Sequence, residues 1–132
     1  MGTARAFAIV LSLAIASVSA VARERYVGEF TLTAYCSCRK CCGANAQGIT
    51  ASGKRVRQGM IAADWNVLPQ GTKVSLSCFP GREFVVEDKG GAIRGNRIDV
   101  WFPSHHLALE FGVDRDVKVW IVEDRPRRQV EN

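Results

Sequence analysis

Glu87-Asp88-Lys89-Gly90-Gly91-Ala92-Ile93-Arg94-Gly95-Asn96-Arg97-Ile98-Asp99-Val100-Trp101-Phe102 is the stretch that decides the fold of this chain. Asp88 ends an apolar run, and Asp99 lies inside an alternating run. Because side chains on a strand point to opposite faces in turn, the apolar residues from Ile98 to Phe102 share one face and Asp99 shares the other with Trp101. The intervening glycines allow a tight connection, so two strand ends can bring both carboxylates to one groove. By pattern alone, a glycine-rich hairpin with acidic surface residues is the simpler interpretation.

Short alternating or apolar runs recur through the rest of the chain and are separated by turn residues. They predict strands at 26–35, 60–63, 73–78, 83–88, 98–102 and 117–122. A short helix should follow Pro103, with Ser104 as its N-cap and Gly112 as its stop. Many short strands with one brief helix indicate an all-β barrel or sandwich.

The first residues look like an export signal. Arg5 precedes an apolar run from Ala6 to Ala16, and small residues follow, as in a signal peptide cleaved after Ala20 or Ala22. A retained anchor is the alternative, but the run is shorter than the ~20 residues that a spanning helix needs. We therefore expect a signal peptide at 1–22, one domain at 23–124 and a charged tail at 125–132. The protein should be exported to the periplasm, the cell envelope or the medium.

The chain is basic, with a net charge of +5 in 132 residues. Such a protein is attracted electrostatically to an anionic cell envelope. Nucleic acid is the usual alternative partner for a basic chain, but the export signal and the lack of a nucleic-acid-binding motif argue against it.

The cysteines form a cluster with one outlier: Cys36, Cys38, Cys41, Cys42 and Cys78. An oxidising compartment favours disulfides, whereas zinc usually takes two separated ligand pairs, of which the second is missing here. We expect disulfides, with a metal or free thiols as alternatives, and the sequence does not choose the pairing. A catalytic cysteine is disfavoured because no arrangement pairs it with a histidine. Adjacent histidines on a helix point in different directions, so His105 is expected to be structural or to line the groove, with no metal site.

The acidic stretch resembles a known family. Asp88-x-Gly-Gly-Ala-Ile-x-Gly-x-x-x-Asp99 is similar to the signature of the three-aspartate (3D) domain, which is shared with the catalytic barrel of membrane-bound lytic transglycosylase A. The resemblance covers about residues 30 to 122. Its further motifs are Thr33-Ala34-Tyr35-Cys36, 48–53, 62–72, Ser104-His105, Phe111-Gly112 and 117–121.

This resemblance implies a six-stranded double-psi β-barrel and cleavage of peptidoglycan glycan strands. Asp64, Asp88 and Asp99 match the three aspartates of the family name. Asp99 would protonate the bond between N-acetylmuramic acid and N-acetylglucosamine and then serve as base, with Asp88 polarising it and Asp64 shaping the groove. An aspartate ordinarily ionises near pH 3.9, so the acid role requires a raised pKa, for which Trp101 and Asp88 are the expected causes.

Other residues are expected to bind substrate: Tyr35, Thr50, Lys89, Gly90, Gly91, Arg94 and Trp101. For Thr50, capping of a local turn is an equally good explanation. Lys89 departs from the family, in which a small residue is common. We expect a monomer that needs no cofactor, has no stable membrane span and binds no nucleic acid. The alternatives are a non-catalytic wall-polysaccharide binder like the expansins and a secreted interaction module.

Overall fold

A computed structural model describes residues 22–124; the predicted signal peptide, apart from its last residue, and the predicted C-terminal tail lie outside the described residues. The elements in chain order are β1 (Arg23–Tyr35), α1 (Arg39–Cys42), β2 (Met60–Ala63), β3 (Lys73–Leu76), β4 (Glu83–Asp88), β5 (Arg97–Trp101), α2 (His105–Phe111) and β6 (Asp114–Glu123). The six predicted strands are confirmed, although several ends differ by a few residues. The single-turn α1 was not predicted, because four residues inside a cysteine cluster carry no helical periodicity.

The six strands form a closed barrel in the order β1-β5-β2-β4-β3-β6. Strand β1 runs parallel to β5, and β2 runs parallel to β4, whereas the other neighbours are antiparallel. This mixed barrel confirms the predicted double-psi fold. Closure leaves no unpaired sheet edge among these strands, so their backbone groups are satisfied within the barrel.

The barrel interior is filled by the inward-facing residues of every strand. It contains Phe30, Leu32, Ile61, Ala63, Leu68, Val74, Leu76, Phe84, Val86, Ile98, Val100, Val117 and Val119. Fully burying one such aliphatic or aromatic side chain stabilises a fold by about 1.5–3 kcal/mol. The alternation predicted for β5 is confirmed, since Ile98 and Val100 are buried while Asp99 lies on the outer face.

Helix α2 begins and ends as predicted. The Ser104 hydroxyl accepts a hydrogen bond from the Leu107 amide, and Gly112 follows the last turn with a φ of 66°. That left-handed value is easy for glycine and costly for a residue with a Cβ. Within residues 22–124 no helix is long and apolar enough to cross a membrane.

Candidate active site

Asp88 and Asp99 lie on either side of one alanine. In the sheet register, Ala62 of β2 is opposite Asp99 on β5 and opposite Asp88 on β4. Neighbouring strands are about 4.8 Å apart, so the two aspartates are roughly 10 Å apart along the sheet, with only a methyl group between them. The register therefore places both aspartates on one face of the sheet, whereas the groove that Asp88 lines does not include Asp99.

A bulge in β4 turns Asp88 toward that surface. Ile61 is opposite Val86, but the next residue of β2, Ala62, is opposite Asp88, so Glu87 is an extra residue in β4. Without it, Asp88 would follow Phe84 and Val86 onto the core face, because every second residue of a strand shares a face. Bulges often re-aim a side chain beside an active site. Here the bulge places Asp88 on the same face as Asp99.

The extra residue, Glu87, is itself stabilised by a partner. Its side chain is 4% exposed, and its carboxylate accepts a hydrogen bond of 2.7 Å from the Lys54 ammonium. This ion pair lowers the pKa of Glu87. The 45–57 loop is thereby held against β4.

Two hydroxyl groups of β1 donate to the two acids. Thr33 Oγ1 donates to Asp99 Oδ1 at 3.0 Å, and Tyr35 Oη donates to Asp88 Oδ2 at 2.9 Å. Thr33 and Tyr35 are two residues apart on a strand and so face the same side. Burial, and next the charge of Asp88, raise the pKa of Tyr35, which keeps its proton on the oxygen.

Asp88 is also held by the backbone. Its Oδ1 accepts hydrogen bonds from the amides of Ala51 at 2.9 Å and Lys89 at 3.0 Å. Together with Tyr35, these donors make three hydrogen bonds to the carboxylate. The Asp88 carboxylate is therefore held in one orientation.

Asp99 is in a different environment, half-buried and with a single hydrogen-bond donor. Burial raises its pKa, the hydrogen bond from Thr33 and the charge of Arg97 lower it, and the charge of Asp88 raises it. The net effect is a pKa above the ordinary aspartate value. Burial contributes most to this rise, and Asp88 acts in the predicted direction. Trp101 instead donates its indole N–H to Ser37 Oγ at 2.9 Å.

Asp64 has hydrogen-bond partners different from those of Asp88 and Asp99. Its Oδ2 accepts from the Gly95 amide at 2.9 Å and its Oδ1 from the Asn66 amide at 3.0 Å. These backbone hydrogen bonds lower its pKa. Asp64 therefore ties the end of β2 to the glycine-rich loop and lines a cavity beside that loop.

That cavity has a volume of about 470 Å³ and contains most of the predicted substrate-binding residues. It is lined by Ala63, Asp64, Trp65, Asn66, Lys89, Gly90, Gly91, Ile93 and Arg94. The Lys89 ammonium lies 4.5 Å from the centre of the Trp65 ring, in a cation–π contact. The Trp65 indole N–H donates to the Asp88 carbonyl at 3.0 Å, so this cavity adjoins Asp88 through its backbone.

The glycines of this loop differ in their roles. Gly95 has a φ of 61°, and a Cβ on Gly90 would lie 3.3 Å from Ile93 Cγ1. Gly95 therefore supplies a positive φ and Gly90 a close approach, two ways in which glycine allows the predicted tight connection. Gly91 shows neither feature, because a Cβ there would meet nothing within 4 Å.

A second groove is lined largely by residues of the 45–57 loop. One part, of about 300 Å³, includes Tyr35 and Asp88, and another, of about 380 Å³, includes Trp101 and Arg55. The two parts share Ser37, Ala46, Gln47, Gly48 and Val56. Asp99 lines neither part. In the sheet register it is opposite Thr33 on one side and Ala62 on the other, and Trp101 lies two residues further along β5.

The Thr50 side chain is buried and interacts with groups of its own loop. It is 5% exposed, and its hydroxyl interacts with the Ser52 hydroxyl, the Lys54 carbonyl and the Lys54 amide. The structure thus places this side chain in the local turn and outside both grooves. The neighbouring Ala51 amide is the group of this loop that reaches Asp88.

The predicted disulfides are not present in the structure. All five cysteines, which fall within the described residues, are free thiols, and the shortest sulfur–sulfur distance is 2.9 Å, between Cys36 and Cys38. Cys78 packs against the barrel core, and the Cys42 thiol donates to the Cys36 carbonyl at 3.1 Å.

Sequence reasoning missed two groups that contact the acids. Thr33 could have been predicted, because it lies two residues before Tyr35, a predicted site residue, and therefore shares its face of β1. The Ala51 amide could not, because a backbone donor has no side-chain signature and its position depends on the fold of a long loop.

Comparison with known proteins gives a consistent picture. The sequence profile of the 3D domain matches residues 59–123. The chain is 37% identical over 91 residues to YabE of Bacillus subtilis (strain 168), whose name describes a cell wall shaping protein; the match covers 68% of this chain and 21% of YabE. It is 43% identical over 70 residues to the cell wall-binding protein YocH of the same strain, covering 50% of this chain and 24% of YocH.

Solved structures of Escherichia coli MltA, a lytic transglycosylase, share the fold. One crystal structure has a TM-score of 0.51 and 23% identity, and the match covers 59% of this chain and 28% of MltA. A second, with bound chitohexaose, has a TM-score of 0.51 and 22% identity, with the same coverage. The matched part of this chain spans only about a quarter of the length of these relatives.

Proposed function

Because residues 59–123 of this chain belong to the 3D domain family, we propose that it acts on the glycan strands of peptidoglycan and cleaves them with Asp99 as general acid and base. The names of YabE and YocH connect this family to the cell wall. The MltA barrel, which has the same fold, occurs in a lytic transglycosylase and has been seen with a chitin oligosaccharide. Export to the envelope or beyond, predicted from the first residues, fits such a substrate.

The observation that supports catalysis is the contrast between two acids on one face. Asp88 accepts three hydrogen bonds, whereas Asp99 is half-buried, accepts one and has a raised pKa. A glycosidase needs one carboxyl that holds a proton and donates it to the glycosidic oxygen, and the raised pKa suits Asp99 to that role.

The proposed reaction consumes no water. Asp99 gives its proton to the glycosidic oxygen, the bond from that oxygen to C1 of the muramic acid breaks, and the leaving sugar departs with a free hydroxyl. Positive charge develops at C1 and is stabilised by the Asp88 carboxylate. The 6-hydroxyl oxygen of the same muramic acid then bonds to C1, and its proton returns to Asp99. The product is a 1,6-anhydro sugar, and Asp99 regains its starting state.

Two grooves, one lined by Asp88 and one by its neighbour Lys89, suit an extended polymer. Lys89, Arg94 and the Trp65 ring line the cavity beside the glycine-rich loop. Tyr35, Gln47 and Trp101 line the groove at the 45–57 loop. Aromatic faces and hydrogen-bonding side chains of this kind are what a sugar chain requires. Asp64 holds the loop of the first cavity in place.

A wall-binding role without catalysis is the second candidate, and the name of YocH favours it. The two roles use the same grooves but differ in their dependence on Asp99. A binder would need the shape and hydrogen bonds of the groove, and the protonation state of one carboxyl would matter little.

Incubation with purified sacculi separates the two roles. We expect the wild-type protein to sediment with sacculi and to release soluble fragments whose masses carry the anhydro end. Asp99→Asn should still sediment but should release fragments about 100- to 10,000-fold more slowly, the usual contribution of a general acid or base.

Asp116→Asn is the matched control. Asp116 is exposed and has a φ of 58°, a conformation that asparagine adopts readily, so the same chemical change should leave release unaltered. Binding without release by the wild type would support the wall-binding role and reject catalysis. Fragments with hydrolysed ends would keep cleavage but reject the anhydro step.

A further inference from the structure

Three thiols and one imidazole converge where β1 ends and α2 begins. Cys36 Sγ lies 2.9 Å from Cys38 Sγ and 3.3 Å from Cys41 Sγ. His105 Nδ1 lies 3.9 Å from Cys36 Sγ, 3.6 Å from Cys38 Sγ and 3.4 Å from Cys41 Sγ. All four atoms are within 4.8 Å of one another, so they surround one small space.

This spacing is close to that of ligands around a tetrahedral zinc ion. With Zn–S bonds of about 2.3 Å and Zn–N bonds of about 2.0–2.1 Å, two sulfur ligands are roughly 3.8 Å apart and a sulfur and a nitrogen ligand roughly 3.5 Å apart. Five of the six pairwise distances are given above, and they range from 2.9 to 3.9 Å. Three soft thiolates and one imidazole form a ligand set that zinc prefers.

Local structure explains why these side chains meet. Cys38 occupies the N-cap of α1 and Cys41 lies within its single turn, so the chain folds back toward Cys36 at the end of β1. His105 is the first residue of α2, and Nδ1 is the ring nitrogen nearest its backbone. His106 is exposed and outside the cluster, as expected for an adjacent residue on a helix.

A disulfide explains this geometry less well. It would join two of the three sulfurs and leave the third thiol and the imidazole without a role. The other two cysteines do not compete, because the Cys42 thiol donates to the Cys36 carbonyl and Cys78 packs against the core.

We propose that Cys36, Cys38, Cys41 and His105 bind one zinc ion as a closed, structural site. On binding, the three thiols release their protons to solvent and His105 coordinates as the neutral imidazole. Four protein ligands complete the tetrahedron and leave no position for a catalytic water. From the sequence we expected no zinc site, because a second pair of ligands was missing. In the structure the fourth ligand is a single histidine, His105, which lies 64 residues after Cys41.

The ion would brace one wall of the candidate active site. Ser37 and Cys42, which lie beside the ligands in sequence, line the groove that contains Tyr35 and Asp88. Binding would connect this wall to α2, which otherwise touches the barrel mainly through β1. The site stands independently of the proposed cleavage, because its geometry involves none of the three aspartates.

The direct test is the metal content and thiol state of the protein purified from zinc-supplemented cells. Elemental analysis should find about one zinc per chain. Alkylation of the native protein should leave Cys36, Cys38 and Cys41 unmodified until a chelator removes the ion, after which all three should react. Cobalt(II) added to the chelated protein should give the intense visible absorption of a tetrahedral site with thiolate ligands.

Paired variants test whether the ion is bound by these four residues and not by another histidine or cysteine. His105→Ala and Cys41→Ser should lose the bound zinc, whereas His106→Ala and Cys78→Ser should keep it. Protein that purifies without zinc, with any of Cys36, Cys38 or Cys41 in a disulfide, would overturn the proposal. So would a cobalt spectrum that lacks thiolate bands in the folded wild-type protein, a result that does not depend on how well the variants fold.

Discussion

At the scale of single residues, the account depends on the Asp99 carboxyl. It lies on the outer face of β5, half-buried, with the Thr33 hydroxyl as donor and Asp88 one strand beyond Ala62. Burial makes the ionised form expensive, so the carboxyl keeps its proton to a higher pH than an exposed aspartate does. The same environment that suits proton donation must therefore cost stability at neutral pH.

We predict that Asp99→Asn raises the melting temperature at neutral pH. The folded-state pKa is raised, so the folded protein binds the Asp99 proton more tightly than the unfolded chain, and wild-type stability falls as the pH rises from about 3.9 through the folded pKa. Asparagine avoids this loss and can still accept the hydrogen bond from Thr33.

Thermal unfolding of both proteins across this range provides the check. The advantage of Asp99→Asn should be largest near pH 7 and should shrink as the pH falls toward 4, where the wild-type carboxyl becomes protonated. A variant that is less stable than wild type near pH 7, or an advantage that grows on acidification, would contradict the proposed environment.

At the scale of elements, the site depends on how β2 separates β4 and β5. Ala62 is 4% exposed and faces outward between the two aspartates, while Ile61 and Ala63 face the core. A small residue at this position puts only one methyl group between the two strand positions that carry the carboxylates. The bulge at Glu87 then determines that Asp88 shares the face of Asp99.

We predict that Ala62→Leu separates the acids without disturbing the core. The added side chain lies between Asp88 and Asp99, and a displacement of about 1 Å in an active site can cost about 100-fold in rate. Ala62→Ser, which adds one atom, should retain most of the activity. Fragment release from sacculi measures the effect, and near-UV circular dichroism reports whether the barrel packing is retained. Equal fragment release by both variants would show that cleavage does not depend on the space between the two carboxylates.

The sequence predicted the strands and the facing of β5 because alternation is a local pattern. It did not predict the bulge, since nothing in Val86-Glu87-Asp88 indicates which residue the partner strand will skip. It did not predict the Ala51 amide contact or the meeting of His105 with the cysteines, because both join distant parts of the chain. The resemblance to the 3D domain supplied the barrel topology, which periodicity alone left open between a barrel and a sandwich.

At the scale of the whole molecule, the chain is basic. The net charge of the 132 residues is +5, and exposed arginines such as Arg55 and Arg57 lie in the 45–57 loop. An anionic wall would attract such a protein over a distance set by the ionic strength. Binding to the wall should therefore combine a nonspecific electrostatic part with specific contacts in the grooves.

We predict that sedimentation with sacculi weakens between about 0.01 and 1 M salt, as the screening length falls from about 30 to 3 Å. Asp99→Asn should follow the same salt dependence as the wild type, because both retain the arginines. Binding that does not change over this range would show that long-range attraction contributes nothing.

The most direct measurement of the central claim is a carbon-13 NMR titration of the Asp99 carboxyl in the folded protein. The account predicts a pKa above the ordinary value of about 3.9, and a lower pKa for the same carboxyl in Asp88→Asn, where the neighbouring negative charge is removed. A wild-type pKa at or below the ordinary value, unchanged by Asp88→Asn, would contradict the assignment of Asp99 as the proton donor.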